Sequence, residues 1–332
     1  MCLYHYILLS GLFILFSFIF FINFSYHKKN ANENTTKIKF SKYFSENKRF
    51  FNNLIKEMKK NEKYKEAKEC YYNDKDTCIY KYFCPKKVIG KNLKLFGNLG
   101  DGAYILTDDL KDINIAYSFG ISNEFSFDLK IADQGIDVYM YDHTINDLDF
   151  NSYNIGQNKN FEHDINYYKN KLHFFQIGIT GSNNHENNMK TLNEILRDNG
   201  HLDEKNMILK MDVEGFEWDV INGLSDDILK RFKYITLELH LDNNPPDFHY
   251  NVIKKLSKFH QAIFIRFNNA GNLIQFGNNK ICSLMEITYM IKEGNEFIRD
   301  NSIYPVKEFY FKNVDGPDVD FDLNIFKLFY QN

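Results

Sequence analysis

From Ile113 onward, short apolar runs alternate with stretches of helical periodicity. Ile113–Phe119, Val138–Tyr141, Leu172–Ile177, Met207–Met211 and Tyr234–Leu241 read as strands. Between them, Phe125–Ala132, a stripe of Met189, Leu192, Ile195 and Leu196, and a face of Phe216, Val220, Ile221 and Leu224 read as helices. Val252, Ile253, Leu256 and Phe259 form a further helical stripe, and Ala262–Phe267 and Leu284–Met290 are the closing strands. Such alternation predicts βαβ units and a mainly parallel sheet between helix layers. The last two strands have only the Asn- and Gly-rich segment Asn268–Lys280 between them, which reads as a loop. They are expected to pair antiparallel at one edge. Ligands of open α/β sheets sit outside the carboxyl ends of the strands. Those ends carry Gly120, Asp142, Gly178, Asp212 and Glu238.

The first strand-to-helix turn, Tyr117–Glu124, contains Gly120, where backbone can approach a ligand with no Cβ in the way. The chain has neither a GxGxxG fingerprint nor a Walker A lysine motif, so this turn is not built for a polyphosphate. Asp142 lies 22 residues beyond Gly120. A carboxylate there suits the two hydroxyls of a ribose. A turn-forming Asp before His143 and Thr144 fits equally well.

MILKMDVEGFEWDVI, Met207–Ile221, opens as a strand and closes as a helix, with Asp212 and Glu214 between. One reading makes Asp212 the N-cap of that helix. Another makes Asp212 or Glu214 the base for an attacking hydroxyl, with His240 as a third candidate. Asp212, Glu214, Glu238 and His240 are also oxygen and imidazole donors suited to Mg or Mn, the less favoured use. A structural role is favoured for His240. An inward Glu238 needs a buried partner, which helix N-termini or Lys210 could supply. Lys210, flanked by apolar residues, is expected to pair with a carboxylate, and Trp218 to pack in the core. Asp101-Gly102 reads as a turn into an apolar stretch.

The N-terminal region differs in character. Tyr6–Phe24 is 19 residues without a charge, enough for a helix to cross a bilayer core. No Lys or Arg precedes it and no Ala-x-Ala pattern follows, which favours an uncleaved anchor over a signal peptide. Lys28–Lys94 holds 19 basic and 8 acidic residues, and the remainder 22 and 36. The basic segment reads as a solvated stem, with a helical pattern in Phe50–Lys68. The overall charge of −3 gives no nucleic-acid signature. Lys28 and Lys29 after the span argue for a cytosolic body. The sequon Asn34-Thr35-Thr36 and the clustered Cys70, Cys78 and Cys84 argue for a luminal one, in the ER or Golgi, which is favoured. The expected organisation is an anchor over 1–27, a stem over 28–88 and a catalytic body over 89–332. The expected partners are a membrane, through residues 6–24, and an unidentified acceptor.

KMDVEGFE, Lys210–Glu217, resembles the DVEG motif of FkbM-type class I methyltransferases. GNLGDGAYIL (Gly97–Leu106), YSFGISNEFSFD (Tyr117–Asp128), VYMYDHT (Val138–Thr144) and GPDVDFDL (Gly316–Leu323) resemble the animal methyltransferase-like branch. The likeness runs from about Asn92 to the C-terminus. It departs from the branch at Ala103, where a second glycine is common, and at Leu95-Phe96, where an arginine is common. The resemblance implies a Rossmann-like seven-stranded methyltransferase sheet and S-adenosylmethionine as methyl donor. By position it implies Ser118, Gly120 and Asn123 on the methionine side, Asp142 at the ribose, and Gly178 and Ile179 at the adenine. Asp212 and Glu214 would flank the reacting methyl group. The expected activity is O-directed methyl transfer to a saccharide, lipid or protein. The alternatives are an anchored glycosyltransferase, which lacks a D-x-D pair here, and a binding module that retains the fold.

Overall fold

The computed structural model describes residues 79–315, apart from 154, 156–159, 184–187, 242–245, 277–278, 303–305 and 310. The chain divides into Met1–Asn61 and Glu62–Asn332, and the described residues all belong to the second unit. The expected anchor, most of the stem, Cys70, Cys78 and the block Gly316–Leu323 lie outside them. No helix among the described residues is long and apolar enough to cross a membrane.

Seven strands form the central sheet: β1 (Ile115–Phe119), β2 (Asp137–Tyr141), β3 (Leu172–Phe175), β4 (Met207–Met211), β5 (Phe232–His240), β6 (His260–Phe267) and β7 (Leu284–Ile291). Their spatial order is β3-β2-β1-β4-β5-β7-β6. Pairing is parallel from β3 through β5. β7 runs antiparallel to both β5 and β6. The expected α/β class, the largely parallel sheet and the antiparallel edge pair are all present. Helices α1 (Ser126–Ala132), α2 (Ile165–Lys171), α3 (Leu192–Asp198), α4 (Glu217–Gly223), α5 (Asp226–Leu229) and α6 (Pro246–Leu256) occupy the connections.

Side chains of a strand alternate between faces, and the core divides accordingly. Tyr117 and Leu209 join one apolar cluster, with Trp218, Ile221, Val252 and Leu256. Ala116 and Ile208 join the other, with Leu129, Ile131 and Met140. Both sheet faces are therefore covered, as a parallel sheet requires. Tyr80, Phe83 and Val88, from the C-terminal end of the expected stem, are buried in these clusters.

Four local expectations need correction. Met189 is not part of the α3 stripe; it pairs in a two-residue strand with Gly178–Ile179. The helix after it starts at a capping box, in which Thr191 accepts from the Glu194 amide and Glu194 accepts from the Thr191 amide. Phe216 precedes α4 and is 48% exposed, so it is not a core position. Asn268–Lys280 is not all loop: Leu273–Phe276 and Asn279–Cys282 form an antiparallel hairpin. Asp212 does not cap α4, whose N-cap is Phe216, with no side-chain cap. Four residues of turn separate Asp212 from the helix, placing its carboxylate out of reach.

Candidate active site

The turn after β1 is shaped by a backbone contact. Gly120 has φ 75°, and a Cβ there would lie 1.6 Å from the Asp212 carbonyl oxygen. The ends of β1 and β4 thus touch at a point only glycine permits. The following amides are held by Asp142 from the end of β2. Its carboxylate accepts from Ile121 N (2.9 Å), Ser122 N (2.8 Å), Thr144 N (2.7 Å) and Thr144 Oγ1 (2.6 Å). Burial raises its pKa, but the bonds from Ser122, Thr144 and Ile121 outweigh burial and hold it below the usual value. A carboxylate accepts about four hydrogen bonds, so Asp142 is fully engaged by its own chain as a turn former.

Beside these turns opens a cavity of about 920 Å³ at the carboxyl ends of the strands. Gly120, Asn123, Asp142, Gly178, Ile179, Asp212 and Glu214 line it, drawn from four separate connections. Added bulk at Gly178 would meet Met189 Sδ at 2.4 Å and His143 Nδ1 at 2.8 Å. Ser118 and His240, the other two expected site residues, lie outside this lining.

Lys210 is buried in the cavity floor. It forms no ion pair among the described residues. Its Nζ donates to the carbonyls of Phe119 and Gly120 and lies 5.6 Å from the Tyr104 ring centre. Asp128, on α1, is also buried and lines the cavity. Burial pushes its carboxyl up to about 6, against the lowering influence of Lys210.

The opposite wall gathers acids. Tyr104, from the strand Tyr104–Thr107, donates its hydroxyl to Asp212 Oδ2 at 3.2 Å. Burial, then the charges of Asp212 and Glu238, drive the Tyr104 hydroxyl well above its usual pKa, so it stays a donor. Glu238, 6% exposed on β5, accepts from Asn268 Nδ2 rather than from Lys210 or a helix N-terminus. Burial, and then the carboxylates of Asp212 and Glu286, push its pKa far above the carboxylate range. Glu286 in turn contacts Arg266, both side chains 5% exposed.

His240 lies behind the DVEG turn. Its Nε2 is 3.2 Å from Glu214 Oε2 and its Nδ1 3.3 Å from Glu217 Oε1. Burial lowers its pKa, but Glu217, Asp212 and Glu214 together overcome burial and lift it to about 9. Glu217 is fully buried and accepts from Val213 N (2.7 Å) and Gly215 N (3.1 Å). That clamp holds Glu214 at φ 54°, with its side chain 87% exposed at the rim. Asp212, Glu238 and His240 bring three donor atoms within 4.8 Å of one another, a geometry that could hold a cation. Glu214 is not part of that set.

Two residues here escape a reading of the sequence. Glu217 follows the motif carboxylates closely and resembles a solvated helix residue, yet Trp218, Val220 and Ile221 beside it mark the turn as buried. Asp128 signals itself only as a charge among Phe127, Leu129, Ile131 and Ala132.

A family model described as the methyltransferase FkbM domain matches residues 104–271. No curated protein matches the chain. Among solved structures, a methyltransferase FkbM from Methylobacillus flagellatus KT is 13% identical, with 54% of this chain and 44% of that one covered and a TM-score of 0.30. This chain thus spans less than half the length of that protein. A precorrin-6y C5,15-methyltransferase from Geobacter metallireducens GS-15 is 12% identical, with 55% and 84% covered and a TM-score of 0.29. A precorrin 8w decarboxylase from Methanobacterium thermoautotrophicum is 11% identical, with 53% and 81% covered and a TM-score of 0.27.

Proposed function

The chain belongs to the FkbM methyltransferase family, and from that premise we propose that it is an S-adenosylmethionine-dependent methyltransferase acting on a hydroxyl acceptor. One observation carries this reading: the cavity at the strand ends is bounded by a turn in which Gly120 packs so closely on the Asp212 carbonyl that no Cβ could be accommodated. Asp128, a buried acid, lines the same cavity beside that turn, so the residues fit a ligand with donor groups. Bound there, S-adenosylmethionine supplies a methyl group on a sulfonium.

The chain's own residues then divide the work. Gly120 and Asn123 form the methionine side above a buried Ser118, and Gly178 and Ile179 the adenine side. Asp142 holds the Ile121–Ser122 amides in place, and a ribose hydroxyl would reach its carboxylate only by replacing its contacts with Thr144. Glu238 and His240 both keep their protons at neutral pH, which removes them as bases. Asp212 is left as the base for the acceptor hydroxyl. One of its oxygens takes the Tyr104 hydroxyl, and the carboxylate lines the cavity where an acceptor would enter. Glu214 contributes an acceptor contact at the rim, and His240 serves as a fixed positive charge behind both.

Replacing Asp212 by Asn tests this division. General-base catalysis contributes roughly 10²–10⁴-fold, so kcat should fall by that range while calorimetric affinity for the cofactor stays within about twofold. Unchanged turnover in Asp212→Asn would refute the assignment.

The ordered blocks from Gly97 to Thr144 support placement in the animal methyltransferase-like branch. The uncharged Tyr6–Phe24 supports a single-pass anchor over 1–27, a stem over 28–88 and a body over 89–332 facing the secretory lumen. A glycan on Asn34 that a glycosidase removes is the expected result; an unglycosylated Asn34 in secretory-pathway membranes would argue for the cytosolic side.

A further inference from the structure

One wall of the cavity is a loop, Gly97–Gly102, with three glycines in six residues. Glycine loses more backbone freedom on ordering than any other residue, so such a loop needs tethers to keep one shape. Packing supplies little of this, because Leu99 is 73% exposed. Yet Asp101 and Gly102 line the cavity, and Tyr104, the partner of Asp212, follows two residues later. On one side of the loop Asn98 N donates to Ser126 Oγ of α1 at 2.7 Å. On the other side the tethers come from far along the chain, and they converge on Asn313.

The Asn313 carboxamide meets three charged groups. Its Nδ2 donates to Asp101 Oδ1 at 3.0 Å and to Glu286 Oε1 at 2.7 Å, and its Oδ1 accepts from Arg266 Nη1 at 2.7 Å. An amide nitrogen has two donors, and here both are spent on carboxylates. A carboxamide matches two anions and one cation, whereas Asp in its place offers no donor and Lys no acceptor. The backbone is fixed too. Asn313 N and Val314 N both donate to Asn269 Oδ1 (2.8 and 3.1 Å), and Asn269 Nδ2 donates back to Val314 O at 2.8 Å. Arg266 adds a bond to Gly100 O at 3.3 Å and lies 3.9 Å from the Phe311 ring centre. Glu286 is buried and sits opposite Glu238 in the β5–β7 pairing. The 311–314 segment thus joins the loop to the row of acids behind it.

We propose that Asn313 is a positioning residue of the active site. Through Asp101 it fastens the Gly97–Gly102 loop to the Arg266–Glu286 pair, and so holds Tyr104 on Asp212 and keeps that wall of the cavity in place around a ligand. The inference rests on the reading of this cavity as the cofactor site and of Asp212 as the base. It adds to them a residue outside the cavity lining.

Hydrogen–deuterium exchange on the full chain reads the tether without any ligand. A hydrogen bond to a charged group is worth roughly tenfold or more in an equilibrium, so Asn313→Ala should speed exchange across Gly97–Tyr104 by about tenfold. Exchange in β4 should stay within about twofold, which separates release of the loop from general loosening. Asn313→Asp keeps the shape and the acceptor for Arg266 but turns both donors into acceptors facing carboxylates. It should release the loop at least as much. Asp101→Ala should match Asn313→Ala, and the double variant should add nothing further, because both remove the same contact. Asp101→Asn keeps an acceptor oxygen and should stay near the wild type. In stopped-flow binding, S-adenosylhomocysteine should leave Asn313→Ala about tenfold faster, with its association rate within about threefold. Unchanged loop exchange in Asn313→Ala, an Asn313→Asp that behaves as the wild type, or β4 exchange that rises with the loop would overturn the assignment. Release of the loop without faster loss of S-adenosylhomocysteine would overturn its role at the cavity and leave the cofactor reading standing. A wild type that binds no S-adenosylhomocysteine removes the cofactor reading, and exchange in the free chain still decides the tether.

Discussion

His240 shows how one residue's surroundings decide its chemistry. Standing alone in a sequence it is a base candidate. Between Glu217 and Glu214 its pKa rises to about 9 from an ordinary 6.5, so at neutral pH it is a cation. A folded-state pKa above the unfolded one stabilises the native state fully below pH 6.5. That stabilisation is lost as pH rises through 9. The shift corresponds to a contribution on the order of 3 kcal/mol at about 1.4 kcal/mol per unit. Urea unfolding from pH 6 to 10 should therefore show stability falling across this window, and His240→Gln should flatten the fall. Glu217→Gln should bring the His240 titration, followed by NMR, down by at least one unit. A His240 pKa that stays near 9 without the Glu217 charge would contradict the clamp. Asp212 carries the complementary lesson. Its position at the end of an apolar run was legible, because a charged residue there has to meet a ligand, a cap or a partner. Its partner, the Tyr104 hydroxyl, lies more than a hundred residues away and was not legible.

At the scale of elements, the strands that could be read are those bounded by chemistry. β1, β2 and β4 each end at a glycine or an acid, and the expected ends match the observed ones. The short strands Lys86–Val88 and Leu93–Phe96 could not be read, because three or four residues carry too little periodicity. The hairpin Leu273–Cys282 was hidden by its Asn- and Gly-rich surroundings, which signal turn without specifying the strands they join. α4 starts late because the DVEG turn, clamped by Glu217, takes up Val213–Phe216. Across the sheet edge, β5, β7 and β6 place Glu238, Glu286 and Arg266 in one row. Arg266 also donates to Gly100 O (3.3 Å) and Asn313 Oδ1 (2.7 Å), tying β6 to the turn before Tyr104 and to the 311–313 segment. Removing one partner of a buried ion pair costs about 3–5 kcal/mol, because the other charge remains buried. Arg266→Ala should be destabilised by that amount in denaturant titration. A loss below about 1 kcal/mol would mean the pair does not join these elements.

For the whole molecule, alternation of strands and helices was enough to predict the class, and the strand order gathers most of the expected site residues at the carboxyl ends of neighbouring strands. What could not be read was how those residues share protons. Charges just after β4 and on β5 and β7 meet only once the mixed sheet aligns them, and sequence separation hides the coupling of Asp212, Glu238 and Glu286. That the cavity at these strand ends binds S-adenosylmethionine is tested by calorimetric titration of the cofactor into the purified chain. The account predicts one saturable site per chain and at least tenfold weaker binding in Gly120→Ala, where the added Cβ would strike the Asp212 carbonyl. No binding by the wild type, or undiminished binding by a folded Gly120→Ala, would contradict it.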